Sequence, residues 1–348
     1  MADKLPKPSK IAILGAGSWG TTLTWLLGNN ERQVSIWSRN QEKLEQIKKL
    51  RRLEHPLDIS IPESVEVCDD MDRCLEGAAI ILFCCTAQSM RSVGLAVNKA
   101  LSAKVAARAH GSARDGQAVL VSAAKGLELK TFQRMSQILS YVVPGHQVCA
   151  LSGPNLAVEV LRGLPTASVI ACEQEETARF VQEQLSVPSF RLYTNTDVIG
   201  VELGGALKNI IAIAAGAVDG LNLGTNAKSA LMTRGLAEMV RLATTMGAKP
   251  TTLSGLAGMG DLVATCYSSL SRNYRLGYQV AQGKSPADAE RHLGSVAEGA
   301  TTASAVCELS QKLDVPMPIA EQVDAALKGR STAEKAIMAL MTRPLSSE

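Results

Sequence analysis

Four places in this sequence carry residue types whose spacing could do chemistry. The first is Gly15-Ala16-Gly17-Ser18-Trp19-Gly20, a G-x-G-x-x-G run directly after the apolar stretch Lys10 to Leu14. The pattern alone is weak, since glycine is common. Between a strand and a helix it becomes a dinucleotide fingerprint: Gly15 allows the tight turn, Gly17 lets the backbone approach a pyrophosphate, and Gly20 lets the helix pack closely. The backbone at Ser18 and Trp19 then lies at the positive end of the helix, which favours phosphates. The second place is Trp37-Ser38-Arg39-Asn40, at the end of the next apolar run. NAD-specific domains usually set an acidic residue there. An arginine without a carboxylate suits a 2′-phosphate, so NADP is favoured and NAD stays open; the plain alternative is a solvated surface charge. The third is Lys208, which interrupts GGALKNIIAIAAG. A lone lysine there is costly unless partnered or functional; otherwise it snorkels from a half-buried helix. The fourth is Lys125, directly after AVLVSAA. Open α/β sheets bind ligands there, outside the carboxyl end of a strand.

The elements that must position these residues follow from the pattern of apolar runs. Strands are predicted at Lys10–Leu14, Gln33–Trp37, Ala79–Cys84, Ala118–Ser122, Gln147–Leu151, Ala167–Ala171 and Phe190–Tyr193, with helices over Ser18–Leu27 and Gln41–Lys49. Near-continuous apolar strands alternating with helices indicate a doubly wound α/β sheet buried on both faces. From Asp197 onward no strand is legible, and Glu202–Val218, Ala227–Met246 and Ala320–Leu327 show helical spacing. Gly247 is the expected C′ residue of the second of these. Ser331 with Glu334 predicts a capping box for the last helix. The expected division is a nucleotide-binding domain over residues 1–195 and an all-helical domain over 196–348. The basic, alanine-rich stretch Ala100–Gly116 reads as a surface excursion.

Composition narrows the class. At 348 residues the chain can hold two cores, and 46% hydrophobic with 20% charged residues is ordinary for a globular protein. A net charge of +3 gives no argument for nucleic acid or a membrane surface. The first ten residues lack an apolar leader core, and no uncharged apolar run reaches the ~20 residues of a membrane span. Ile210–Val218, the richest, is about half that. The expectation is a soluble, cytoplasmic protein. The eight cysteines contain no C-x-x-C pair and no ligand spacing with the four scattered histidines, so buried reduced thiols and no metal are expected.

With these pieces assembled, the sequence closely resembles the NAD(P)-dependent glycerol-3-phosphate dehydrogenases of the soluble bacterial type. The matching segments are GAGSWGTTL at 15–23, AAKGLE at 123–128, LSGP at 151–154, ELGGALKNIIAIAAG at 202–216, GMGDLVATC at 258–266, SRN at 271–273 and EGATTA at 298–303. They run in family order and span about residues 10 to 340. The resemblance implies a Rossmann-type sheet, then a helical domain like that of 6-phosphogluconate dehydrogenase. The implied reaction interconverts dihydroxyacetone phosphate and sn-glycerol 3-phosphate by hydride transfer at C2, for glycerophospholipid synthesis. It makes Lys208 the proton donor, a role that desolvation and a cationic neighbour favour by lowering a lysine pKa, and sets Asp261 beside it. Lys125 would contact substrate and cofactor. Ser271, Arg272 and Asn273 would bind the substrate phosphate, with Arg272 also touching cofactor. Gly153, Asn155 and Asn209 would complete the substrate site, and Ala157, Val296 and Glu298 the cofactor site. Family members are commonly dimers, so a homodimer is expected.

The sequence departs from the family pattern at Asn155-Leu156 after Gly153-Pro154, at Tyr274 after SRN, and at Cys84-Cys85-Thr86. None removes a residue the implied reaction requires. Two rivals remain open here. A hydroxyacid or 6-phosphogluconate-like dehydrogenase would share the glycine turn and the Lys208-Asn209 pair, but leaves GDL-x-x-TC and SRN unexplained. A cofactor-sensing module would need no proton donor.

Overall fold

The structure, a computed structural model, describes residues 9–53, 56–107, 117–293 and 297–344. The chain divides into two compact units. The first contains the chain up to Ala124, then Met135–Leu151 and Ala157–Val198. The second contains Lys125–Arg134, Ser152–Leu156 and everything from Ile199 onward.

In the first unit the strands are β1 (Lys10–Leu14), β2 (Val34–Trp37), β3 (Arg52–Leu53), β4 (Ile59–Ser60), β5 (Glu66–Val67), β6 (Ala78–Phe83), β7 (Val119–Ser122), β8 (Val148–Ser152, its last residue counted with the second unit), β9 (Thr166–Ala171) and β10 (Phe190–Asn195). The helices are α1 (Ser18–Gly28), α2 (Gln41–Leu50), α3 (Met71–Leu75), α4 (Met90–Ala107), α5 (Met135–Val142), α6 (Ala157–Leu161) and α7 (Glu175–Leu185). Eight strands form one sheet in the order β10-β9-β8-β7-β6-β1-β2-β5, parallel from β5 across to β8 and between β9 and β10. Alternate residues of β1, β6 and β7 enter opposite cores. Ile11, Ile13, Ile80 and Leu82 pack with Leu23 and Leu26 of α1, while Ala12, Leu14, Ile81 and Phe83 pack with Met90, Val93 and Val97 of α4. Burial on both faces is why these strands carry no polar alternation. Each large apolar side chain so buried contributes roughly 1.5–3 kcal/mol.

The order of strands reverses at β1 and β6, so the carboxyl ends of these two strands flank the switch point where open sheets bind ligands. The seven predicted strands lie within two residues of β1, β2 and β6 to β10. The two-residue strands β3, β4 and β5 were too short to show a pattern.

The second unit is helical: α8 (Val198–Gly220), α9 (Gly224–Thr245), α10 (Pro250–Leu253), α11 (Asp261–Tyr267), α12 (Arg272–Ala281), α13 (Pro286–Leu293), α14 (Glu298–Lys312), α15 (Pro318–Leu327) and α16 (Ala333–Met341). Its axis is α8. At 23 residues α8 is longer than the apolar run read from the sequence, and length and composition alone would let it cross a bilayer. Instead its apolar residues Leu203, Leu207, Ile210 and Ile211 lie in the core with Met239, Leu242, Leu276 and Val306. Gly247 ends α9 with φ +95°, its N–H bonding the Thr244 carbonyl and that of Ala248 the Ala243 carbonyl, the two bonds of a Schellman cap.

Two local expectations are corrected. The cap of α16 is Thr332, whose hydroxyl accepts the Lys335 N–H, and not Ser331. The Ser331 hydroxyl donates to the Thr332 carbonyl at 3.2 Å instead, and the helix starts one residue later, with Ala333 and Ala336 buried. Ala100–Ala107 is no excursion but the last two turns of α4; the remainder, 108–116, lies outside the described residues. Alanine, lysine and leucine are good helix formers, which the basic composition obscured.

Where α12 crosses α8 the backbones nearly touch. A β-carbon on Gly277 would sit 1.8 Å from the Ile213 carbonyl oxygen, and one on Gly216 would sit 1.9 Å from that of Tyr274. Both partners are helical backbone and cannot yield. Gly277→Ala is therefore expected to force α12 off α8 and to cost about 3 kcal/mol or more, at or beyond the upper end of overpacking penalties. A urea midpoint within 0.5 kcal/mol of the parent protein (roughly the effect of a neutral surface change) would show that the crossing relaxes freely.

Candidate active site

The glycine turn sits at the switch point. The Gly15 N–H donates to the Trp37 carbonyl (2.7 Å) and the Cys84 N–H to the Leu14 carbonyl (2.9 Å), tying the ends of β1, β2 and β6 together. Gly15 has φ +123°, and a β-carbon there would meet the Cys84 carbonyl oxygen at 2.6 Å; one on Gly20 would meet the Gly15 oxygen at 1.9 Å. Neither position admits a side chain. Gly17, by contrast, caps α1 with nothing within 4 Å of its missing β-carbon, and no acidic residue occupies the first turn. The first-turn N–H groups, which begin at Ser18, Trp19 and Gly20, and the helix dipole thus meet an open approach, which fits a pyrophosphate. The Trp19 ring packs on Phe190 at 6.1 Å, so this residue offers a ligand its backbone.

The end of β2 also fits a nucleotide. Arg39 is exposed, donating to the Ser89 hydroxyl at 2.6 Å and approaching Ser92 at 3.5 Å, with Thr86 donating to Ser89 at 3.0 Å. The neighbouring Asn40 caps α2 by accepting the Lys43 N–H. Neutral hydroxyls hold the guanidinium without cancelling its charge, as a 2′-phosphate partner requires.

In the second unit, residues from four segments converge on one carboxylate. Asp261 opens α11 just after a π-helical turn, Leu256–Gly260, and is buried. Its Oδ2 accepts from Lys125 Nζ at 2.7 Å, and its Oδ1 lies 3.1 Å from Lys208 Nζ. Lys125 also donates to the Gly153 carbonyl at 2.9 Å and to Asn155 Oδ1 at 2.7 Å. Lys208 donates to the Thr265 hydroxyl at 2.6 Å, which stands one turn along α11 and itself bonds the Asp261 carbonyl at 2.6 Å. Asn209 reaches the Lys125 and Gly205 carbonyls, both at 3.3 Å. Lys125, Gly153, Asn155, Lys208, Asn209 and Asp261 thus form one cluster. Thr265 joins it unforeseen, although its i,i+4 relation to Asp261 on a helix could have signalled it.

Two ammonium groups share one carboxylate, and the Glu298 charge acts on Lys125 as well. Burial would push the Asp261 carboxyl up, but the ammonium of Lys125, and then that of Lys208, hold it below the usual range. Burial is also the main force lowering Lys125, with Lys208 adding to it against the pull of Asp261; the result is about 8. Lys125 thus carries a depressed pKa in the folded protein. Such a site can stabilise an oxyanion and hand over a proton near neutral pH.

The remaining expected residues lie elsewhere. Ser271 caps α12 through the Tyr274 N–H, at 3.2 Å. Arg272 is exposed in the first turn and bonds nothing among the described residues. Asn273 is buried and accepts the Gly299 N–H. Glu298 opens α14 and is half-buried, while Ala157 opens α6 in the first unit. Val296 lies outside the described residues. Sequence reading also missed the buried ion pair Arg134–Glu202, at 2.5 Å, which fastens the Lys125 segment to α8.

Known proteins resemble the chain along its length. The family described as NAD-dependent glycerol-3-phosphate dehydrogenase matches twice, its N-terminal part over residues 10–178 and its C-terminal part over residues 197–338. A glycerol-3-phosphate dehydrogenase [NAD(P)+] of Dehalococcoides mccartyi is 40% identical over 345 residues, covering 98% of this chain and 92% of the relative. One from Chlorobium phaeobacteroides is 43% identical over 343 residues, covering 97% and 99%. The crystal structure of glycerol-3-phosphate dehydrogenase from Coxiella burnetii superimposes with a TM-score of 0.88 at 34% identity, covering 97% of this chain and all of that one.

The Lys125 value can be read directly. Trace acylation across pH 7–10 should label Lys125 with a midpoint near pH 8, its reactive neutral fraction rising with pH. Asp261→Asn removes the strongest group raising that value, so the midpoint should fall further. Stranding two buried ammoniums should also cost about 3–5 kcal/mol. An Asp261→Asn midpoint shifted upward would contradict the arrangement.

Proposed function

The chain belongs to the NAD-dependent glycerol-3-phosphate dehydrogenase family, and on that premise we propose that it reversibly reduces dihydroxyacetone phosphate to sn-glycerol 3-phosphate, with Lys208 as the proton donor. The observation that carries the reading is the buried pairing of Lys208 and Lys125 through Asp261. A bound NAD(P)H would supply the hydride. The residues of this chain do the rest. As negative charge grows on the C2 oxygen, Lys208 donates its proton there, and Asp261 and Thr265 keep that ammonium aimed. Lys125, steadied by Gly153 and Asn155, adds positive potential beside the oxygen and contacts both ligands. Asn209 supplies a further polar contact. Arg272, with its planar guanidinium, takes the substrate phosphate bidentately, helped by Ser271.

In this reading the first unit binds the nucleotide through Gly15, Gly17, Ser18, Trp19, Gly20 and Arg39, with Ala157, Val296 and Glu298 as further cofactor contacts, and the second unit binds the substrate. Arg39 makes NADPH the favoured form. The enzyme would work as a cytoplasmic homodimer supplying sn-glycerol 3-phosphate to glycerophospholipid synthesis.

The proton donor is tested by Lys208→Ala. Losing a general acid is typically worth about 10²–10⁴-fold, so kcat for NAD(P)H oxidation with dihydroxyacetone phosphate should drop in that range. NAD(P)H binding should change little. A variant keeping more than half of the parent kcat (a loss far below about 10²-fold) would remove Lys208 from the role.

Cofactor choice is tested by initial rates with NADH and NADPH for the parent protein and Arg39→Ala. Removing a charge-assisted contact to the 2′-phosphate should weaken NADPH by about 1.5–3 kcal/mol and leave NADH nearly unchanged. Equal losses would mean that Arg39 does not read the phosphate.

A further inference from the structure

Arg272 is presented by the loop 268–271, which joins the end of α11 to the start of α12. The loop is braced within itself: the Ser271 N–H donates to the Ser268 carbonyl at 3.0 Å, and the Leu270 N–H to the Ser268 hydroxyl at 3.2 Å. Its two ends carry tyrosines, Tyr267 as the last residue of α11 and Tyr274 in the first turn of α12. Lys228, from α9, faces both rings. Its Nζ lies 4.3 Å from the centroid of the Tyr267 ring and 5.1 Å from that of Tyr274. It also donates to Asp219 Oδ2 at 2.5 Å, and the Tyr274 hydroxyl donates to that same oxygen at 2.7 Å. Burial, and then this bond, push the Tyr274 phenol up, so it stays the donor. Tyr274 thus touches α8 twice, through its hydroxyl at Asp219 and through its carbonyl oxygen, which a β-carbon on Gly216 would meet at 1.9 Å. Lys228 itself is buried. A buried ammonium is costly unless its surroundings carry the charge, and the proposed reaction makes no use of this one.

We infer that Lys228 is a positioning residue: paired with Asp219 and set against both tyrosine rings, it clamps the two ends of the α11–α12 loop and so fixes where Arg272 stands. The inference rests on the proposed grip of Arg272 on the substrate phosphate and adds the group that holds Arg272 in place. The Tyr267 contact holds the end of one helix and the Tyr274 contact the start of the next, so a single ammonium spans the loop between them. Asp219 stands near the end of α8, the helix that carries Lys208, so the same ion pair registers the loop to the proton donor. Desolvated cation–π contacts are the stronger kind, and here two of them act together with an ion pair. The chain departs from the family at Tyr274, where an arginine is common. An arginine there would set a second cation beside Lys228, whereas the tyrosine supplies a ring for it to face and a hydroxyl for Asp219.

The test is a cycle of Lys228→Met and Arg272→Ala, read as kcat and KM for dihydroxyacetone phosphate, with unphosphorylated dihydroxyacetone as a second substrate. Amide hydrogen exchange of a peptide covering residues 267–274 is followed alongside. Methionine keeps the length and apolar stem of lysine and removes the charge. Lys228→Met should raise KM for dihydroxyacetone phosphate roughly tenfold, within the range of desolvated cation–π contacts, and speed exchange by a similar factor. NAD(P)H Kd and the slow turnover of dihydroxyacetone should stay within about twofold, as for a change remote from both. In the Arg272→Ala background the same substitution should add little, because the group it positions is gone. Lys228→Arg can still bond Asp219 and face the rings, so it should bring KM and exchange back to within about threefold of the parent. Should Lys228→Met not accumulate folded, Tyr267→Leu reads the same quantities by removing a half-exposed ring, with KM rising about threefold. Unchanged KM and exchange in Lys228→Met, with Arg272→Ala still impairing dihydroxyacetone phosphate, would overturn the inference and leave the phosphate assignment intact. Losses that add in full across the cycle, or that fall equally on dihydroxyacetone and NAD(P)H, would make Lys228 a general stabiliser and overturn it too. If Arg272→Ala itself costs nothing, the phosphate assignment falls. Faster exchange over 267–274 in Lys228→Met, reversed in Lys228→Arg, then still carries the clamp, and unchanged exchange removes it as well.

Discussion

The helical unit is organised around one constraint: a single buried carboxylate must neutralise two buried ammonium groups. Taking an ion from water into the interior costs several kcal/mol even after relaxation. Asp261 meets that cost for both Lys125 and Lys208, at 2.7 and 3.1 Å, with three further donors taken by Gly153, Asn155 and Thr265. Burial, with the Lys208 charge adding to it, brings Lys125 down to about 8 against the pull of Asp261 and Glu298, while Asp261 stays ionised. A site with spare positive potential and a proton to give is what reduction of a ketone to an alkoxide calls for.

Much of the surrounding architecture serves to deliver those three groups. Lys125 and Asn155 come from two short segments that leave the sheet unit and belong to the helical one. The first is fastened at its far end by the buried Arg134–Glu202 pair and by Phe132, which holds φ +57° with its ring under the Lys312 ammonium at 4.5 Å. A left-handed phenylalanine costs of order 1–3 kcal/mol, so it persists only because its neighbours over-determine it. Glu202 and Lys208 lie on the same helix, and the segment is thereby registered to the lysine it must oppose. The glycine contacts of α8 with α12 and α14 work similarly, bringing first turns close enough for backbone and carboxamide to set distances.

The two units hold their ligand-directed features in different ways. In the sheet unit the features are mainly backbone: a turn with no room for β-carbons and a helix end without an acid, with the exposed Arg39 as the one charged side chain assigned to the nucleotide. In the helical unit the central ones are the buried side-chain charges of Lys125, Lys208 and Asp261. The first kind tolerates variation around it, which suits Cys84-Cys85-Thr86 standing where the family usually has other residues. The second depends on every partner being present, because each missing partner strands a charge.

Local determinants made the fold legible in the sequence. A strand buried on both faces must be apolar throughout, and a dinucleotide turn must have glycine at fixed places, so β1, α1, β2 and the later strands could be read from Lys10 onward without neighbours. Lys208 announced itself for the same reason, as a charge in a run with no other use for one. The tertiary structure decided what spacing along the chain does not encode. Lys125 and Asp261 are 136 residues apart, and nothing near either says that they share a bond or that Lys125 is held near 8; desolvation is a property of the assembled core. The cap of the last helix fell to Thr332 and not Ser331, two residues equally suited by type; in the folded chain the Ser331 hydroxyl is turned to the Thr332 carbonyl and Thr332 takes the Lys335 N–H. Asn273 is a further case: its type and place beside Arg272 say nothing of Gly299, and only the approach of α14 brings that N–H to its oxygen.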